Sequence, residues 1–111
     1  MLSHLGSHNL EQFGGTKSIE FLVENFQSNP KDITVWLSPA AGKDNYPLFA
    51  FADRSMHEVA TEQLLKAGVN LEHITRSLVD TTKDINYFSH SEFLKGNRDS
   101  DGRFAVVTVM N

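Results

Sequence analysis

Apolar residues recur at helical spacing in two stretches of the chain, and the first follows Thr16. A helix has 3.6 residues per turn, so positions i, i+3, i+4 and i+7 lie on one of its faces. Pro30 predicts the end of this helix, because the residue before a proline is disfavoured in the helical region. The stripe expected to face the core consists of Ile19, Leu22, Val23 and Phe26.

The second helical stretch has both a start signal and a stop signal. Ser55 is a residue type that caps helices, and Glu58 three positions later completes the pattern of a capping box. Gly68 predicts the end of the helix, since glycine readily adopts the left-handed conformation that closes a helix. The stripe predicted to be buried consists of Met56, Val59, Ala60, Leu64 and Ala67.

Three runs rich in β-branched and aromatic residues predict strands, at 33–37, 48–52 and 103–110. We expect antiparallel pairing of the first two strands, but the connection 38–47 is longer than a tight hairpin and does not require it. The second and third runs are apolar on both faces. We therefore expect them in the interior of a sheet or beneath a partner.

Between the second helix and the last strand, residues 70–95 leave two interpretations open. Leu71, Ile74 and Leu78 fit one face of a short helix, while 74–79 equally fits a strand.

The order of elements predicts an α+β fold, a two-layer sandwich. Its small mixed or antiparallel sheet has three to four strands, with two to three helices on one face. Residues 1–15 show no periodicity and carry three glycines, so we expect a flexible N-terminal arm. Residues 16–111 then form a single α+β domain.

Composition narrows the classes of protein to which the chain can belong. It has 111 residues and a net charge of −4, and its ten Lys and Arg residues are scattered singly, which argues against nucleic acid as a partner. It contains no cysteine, and its N-terminus shows no signal-peptide pattern. No apolar stretch approaches the roughly 20 residues that span a bilayer. We expect a cytoplasmic protein without a membrane partner.

Residues 97–102 carry half of a calcium-loop motif. Oxygen-bearing side chains at Asn97, Asp99 and Asp101 alternate along the chain, and Gly102 follows them. The twelfth place of such a loop needs a glutamate and holds Thr108 instead. A turn before a strand explains the Asp-Gly pair equally well. We expect no specific calcium binding and at most a weak affinity, and no cofactor is predicted.

The remaining polar motifs fit surface or structural roles better than catalysis. The five histidines, His4, His8, His57, His73 and His90, lie at positions typical of solvated side chains. Asp53, Ser55 and His57 include the residue types of a hydrolytic triad, but Ser55 is already explained as a cap. The segment Ser38–Lys43 lacks the first glycine and the Ser or Thr of a phosphate loop. Whether the protein is an enzyme stays open, with the balance against it.

Aromatic residues of the predicted strands suggest a surface that something covers. Trp36 is predicted on one face of the strand 33–37, and Phe49 and Phe51 share a face of the strand 48–52. Core packing is one explanation. A covered face that binds a partner or an apolar ligand is another.

These observations lead to two hypotheses about function. The first is a small non-catalytic interaction or regulatory module that acts through a protein surface, with a protein partner or a second copy as a homodimer. The alternative is a small-molecule-binding protein or small enzyme with a pocket between the helices and the aromatic sheet face.

Overall fold

A computed structural model describes residues 1–109, and within them the fold is α+β. Three single-turn 3-10 helices, Pro30–Asp32, Phe49–Phe51 and Leu71–His73, join the main elements. No helix of the described part is long and apolar enough to cross a membrane. In chain order the main elements are α1 (Ser7–Glu11), α2 (Gly14–Phe26), β1 (Val35–Leu37), α3 (Met56–Lys66), β2 (Ile74–Arg76) and α4 (His90–Leu94).

The sheet consists of β1 and β2, which pair in parallel with Val35 opposite Ile74 and Leu37 opposite Arg76. Parallel neighbours need a crossover connection, and α3 lies within the one that joins them. The predicted sandwich with three to four strands is therefore wrong. The predicted antiparallel pairing of 33–37 with 48–52 is also wrong. Residues 74–76 form a strand, so the strand interpretation is correct for this part of the segment 74–79.

The run 48–52 forms the 3-10 turn Phe49–Phe51 and not an inner strand. The carbonyl oxygen of Leu48 accepts hydrogen bonds from the amides of Phe51 and Asp53, both at 3.0 Å, which folds the chain back on itself. Ala52 and Asp53 have positive φ values of 54° and 62°, incompatible with a strand. The strand propensity of 48–52 is overridden by this turn, which the hydrogen bonds to the Leu48 carbonyl close.

The predicted C-terminal strand is likewise absent from the described part of its range, residues 103–109, and Met110 lies outside the described residues. Strand-forming residue types need a neighbouring strand to complete a hydrogen-bond ladder. No segment among residues 1–109 supplies one. Phe104 instead packs edge-on against Tyr87, with ring centroids 5.3 Å apart.

The core lies between the helices and one side of the short sheet. α3 contributes most to it, because Val59, Ala60 and Leu64 are at most 3% exposed. The predicted bounds of α2 and α3 are close to those observed, and Gly68 follows α3 with a φ of 101°. The buried apolar cluster is completed by Leu10, Ile19, Leu37, Leu48 and Val69.

Gln63 on α3 joins all three N-terminal helices through its buried side-chain amide. Its Oε1 accepts from the Gly15 amide at 2.9 Å, and its Nε2 donates to the Leu10 carbonyl at 2.8 Å. Position 15 must be glycine, because a Cβ there would lie 2.9 Å from the Gln63 Cβ. A buried amide with donors and acceptors paired in this way specifies one arrangement of α1, α2 and α3.

Residues 1–15, predicted as a flexible arm, contain the helix α1, and Leu10 within it is fully buried. The division of the chain into an arm and a domain stays a prediction.

Arg98 anchors the long polar connection before α4. Its guanidinium donates to the carbonyl oxygens of Tyr87 at 2.6 Å and Thr81 at 3.0 Å, and more weakly to those of Thr82 and Asp84. One side chain therefore satisfies backbone acceptors that an irregular segment would otherwise leave unpaired.

Replacing the amide of Gln63 should destabilise the protein. Gln63→Met keeps the length of the side chain but leaves the buried Gly15 amide without its partner, while the Leu10 carbonyl keeps only its bond from the Phe13 amide. We expect a loss of about 2 kcal/mol in the free energy of unfolding, measured by urea denaturation. Gln12→Met, at an exposed position, is the matched control and should change it by less than about 0.5 kcal/mol. Equal midpoints for the two variants would contradict the role of Gln63.

Ser55 should act as a helix cap, since its Oγ accepts from the Glu58 amide at 3.1 Å. Ser55→Ala is expected to cost about 1 kcal/mol of stability by urea denaturation. Ser28→Ala, where the backbone amide and not the side chain makes the contact with Leu22, is the control. An unchanged urea midpoint for Ser55→Ala would show that the cap contributes nothing to the stability of the fold.

Candidate functional site

A cleft opens where the two parallel strands separate at their carboxyl ends. The Ser77 amide donates to the Leu37 carbonyl at 2.9 Å, and the strands meet again three residues later at the bridge between Ala40 and Asp80. Between these two contacts the cleft has a volume of about 160 Å³. Its polar lining comes from Ser55, His57, Arg76, Ser77 and Asp80.

The first turn of α3 forms one wall of the cleft, because the cap Ser55 and the second helical residue His57 both line it. The His57 Nε2 lies 2.7 Å from the Ser38 carbonyl oxygen. A carbonyl can only accept, so Nε2 carries the proton and donates, which leaves Nδ1 as the acceptor of the neutral ring. Burial lowers the pKa of His57, the hydrogen bond to Ser38 opposes that shift, and the charge of Arg76 adds to it.

Arg76 supplies positive charge at the end of β2. Its side chain is exposed, and it makes no hydrogen bond or ion pair with any side chain or backbone group in residues 1–109. The guanidinium therefore presents its donors to solvent beside the cleft. Arginine favours planar, two-point contacts with carboxylate and phosphate groups.

The carboxylate of Asp80 is bound by the protein itself. Its Oδ1 accepts from the Thr82 amide at 2.9 Å and from the Thr82 hydroxyl at 2.6 Å. Burial raises the pKa of Asp80, but hydrogen bonds from Thr82 and from the Gly42 amide outweigh it and leave the pKa below its ordinary value. Gly42 has no side chain because the Asp80 carboxylate occupies the space that a Cβ would need.

The three aromatic residues predicted as a ligand or partner surface do not share one face. Trp36 on β1 is 58% exposed, and Phe49 is 83% exposed in the 3-10 turn. Phe51 is partly buried and packs against the core. The turn at 49–51 separates the two phenylalanines that a strand would have aligned.

The half-motif at 97–102 follows α4. Asn97 and Asp99 are exposed, whereas the Asp101 Oδ1 lies 2.8 Å from both the His90 Nδ1 and the Gly102 amide. The contact with His90 lowers the pKa of Asp101. Within residues 1–109 no three His, Cys, Asp or Glu side chains gather as a metal site. Weak or absent calcium binding stays a prediction.

The residue types of a hydrolytic triad are not joined in the described structure. Ser55 Oγ is engaged as the cap of α3, and within residues 1–109 it makes no hydrogen bond with His57 or Asp53. Sequence reasoning missed Arg76 and Asp80, which line the cleft. Polar residues that follow a strand are the signal for such a site, but the strand at 74–76 was not resolved from a helix.

Comparison with known proteins gives the fold alone. No family model matches the chain, and no curated protein matches it. The fold is similar to the crystal structure of Bacillus licheniformis hypothetical protein YfiH, with a TM-score of 0.63 and 18% sequence identity. The similarity covers 69% of this chain and 38% of that one. The chain therefore spans well under half of the length of this structural neighbour.

His57 should make stability depend on pH. Because burial lowers the pKa of His57 in the folded state, the unfolded chain binds more protons between that value and about 6.5. The stability that neutral His57 contributes is fully present above about pH 6.5. It is lost as the pH falls through the folded-state pKa of His57. His57→Gln keeps a donor for the Ser38 carbonyl and should weaken this loss in urea titrations from pH 7.5 to 5.0. His8→Gln, at a side chain 90% exposed, is the control. Equal slopes for the unmodified protein and His57→Gln would contradict the assignment.

Proposed function

We propose that this protein is a non-catalytic interaction module and that its partner is a second copy of the same chain. The observation that carries the proposal is the amount of exposed surface. The accessible surface is 7517 Å² for a mass of 12.4 kDa. A compact monomer of that mass exposes about 6,100 Å². The excess is therefore about 1,400 Å², which is more than the roughly 800 Å² that each partner buries in a standard interface.

Part of this exposed area is apolar, and one portion of it lies on the C-terminal run and on the loop before α4. Two contacts connect the run to the loop before α4. Tyr87 packs against Phe104, and Phe88 closes over Gly102 so tightly that a Cβ there would lie 2.6 Å from its ring. We define the C-terminal apolar surface as Ile85, Phe88, Phe104, Val107 and Val109, which are between 38% and 85% exposed.

The C-terminal run favours a second copy over an unrelated partner. Residues 103–109 have strand-forming side chains and no ladder partner among the described residues. A strand that pairs with its own copy across a two-fold axis is self-complementary, so one sequence supplies both halves of the interface. Pairing would satisfy the backbone groups of both runs and remove both apolar surfaces from water.

A small-molecule binder remains a second candidate, because the cleft at the carboxyl ends of β1 and β2 collects polar groups. The cytoplasmic location stays a prediction. The absence of nucleic-acid and membrane partners also stays a prediction.

The dimer should be detectable by sedimentation equilibrium or light scattering. We expect a dimer of the unmodified protein at about 100 µM. Val107→Glu should give a folded monomer, because a buried carboxylate without a partner strongly opposes association. Trp36→Glu, an exposed aromatic residue outside the C-terminal apolar surface, is the matched control and should remain a dimer.

Two results would overturn the proposal. One is a monomer of the unmodified protein at high micromolar concentration. The other is a dimer that Trp36→Glu dissociates and Val107→Glu leaves intact, because the contact would then lie on the sheet.

A further inference from the structure

The cleft beside Arg76 lies outside the proposed dimer contact, so self-association does not explain it. It lies outside the carboxyl ends of two parallel strands, at the place where they separate. Open sheets with parallel strands commonly bind ligands there, because the loops that follow the strands diverge and leave a crevice. The position of this cleft follows from the parallel register of β1 and β2 and from the bridge that closes it at Ala40 and Asp80.

The volume limits what the cleft can hold. At about 160 Å³ the cleft has room for several water molecules. A carboxylate or a phosphate group fits this space. Any larger ligand would place only one end in the cleft.

The charged groups around the cleft favour an anionic ligand over a cationic one. Arg76 is a cation without a protein partner in the described range, whereas the carboxylate of Asp80 is already bound by Thr82 and Gly42. A cation entering the cleft would be repelled by the Arg76 charge, and the ionised Asp80 already accepts hydrogen bonds from Thr82 and Gly42. An anion would meet donors instead, because the guanidinium has five N–H groups and no acceptor.

The opposite wall adds groups that suit an oxyanion. The Ser55 Oγ accepts a hydrogen bond from the Glu58 amide, which leaves the Ser55 O–H free to donate. The neutral ring of His57 lines the same cleft but adds no donor for an anion, because its Nε2 already donates to the Ser38 carbonyl. The first turn of α3 contributes partial positive charge, and this is a secondary effect beside the guanidinium.

We infer that this cleft binds a small oxyanion, a carboxylate or a phosphate group, with the guanidinium of Arg76 as its principal contact and the Ser55 hydroxyl on the facing wall. The site does not depend on the proposed dimer, since none of its residues belongs to the C-terminal apolar surface. The two sources of this chemistry, an organic acid and a phosphate compound, are distinguished by the choice of probe.

The test is a titration followed by amide NMR spectra at pH 7 and constant ionic strength. Sodium phosphate and sodium acetate are added separately, and sodium chloride serves as the reference anion. We expect saturable shifts of the Gly42, Met56 and Ser77 amides with phosphate, with acetate or with both. Saturation with one of the two identifies the source of the oxyanion. The monomeric Val107→Glu variant should bind equally well.

Variants of Arg76 give the decisive comparison. Arg76→Gln should weaken binding at least about tenfold, since it removes a charge-assisted pair of hydrogen bonds. Arg76→Lys keeps the charge without the planar fork and should recover part of the affinity. Lys31→Gln removes the same charge at an exposed position that does not line the cleft, and it should bind as the unmodified protein does.

Two results would overturn the inference. One is a set of shifts that never saturate and that chloride reproduces. The other is a saturable affinity that Arg76→Gln leaves unchanged, because the anion would then be held elsewhere.

Discussion

The side-chain amide of Gln63 is the contact on which the arrangement of the helices depends. It pairs with the backbone of α1 at Leu10 and of α2 at Gly15, and the Thr16 hydroxyl adds a third bond to the Gln63 carbonyl at 3.1 Å. A polar group this deeply buried is stabilising only when its donors and acceptors are paired. Because α3 is held in this way, its first turn has a defined position, and that turn forms one wall of the cleft.

The same arrangement explains why so much apolar surface remains exposed. A sheet of two strands with three residues each has little capacity to cover other elements, and such small sheets are marginal in water without further packing. α2 illustrates the result, since Ile19 of its apolar stripe is buried while Phe26 is 66% exposed. The neighbour from B. licheniformis is a much longer chain, and the shared fold forms only 38% of it. A second polypeptide that covers the C-terminal apolar surface would compensate for the small core.

Local signals were sufficient for the helices and insufficient for the sheet. Ser55 and Gly68 bound α3 because capping depends on residues a few positions apart. The pairing of Val35 with Ile74 joins segments far apart in the chain, and no local pattern encodes it. For the same reason the run 103–110 was predicted as a strand without knowledge of its partner. The cleft was missed because Arg76 and Asp80 acquire their meaning only once β2 is placed beside β1.

The cleft and the C-terminal apolar surface consist of different residues, so each can be altered without the other. Hydrogen exchange of the amides 104–109, followed at about 5 µM and about 500 µM protein, tests the central claim of strand pairing between copies most directly. The account predicts exchange at least about tenfold slower at the higher concentration, because pairing closes these amides into a ladder. Equal exchange at both concentrations, as fast as in an unstructured peptide, would contradict it.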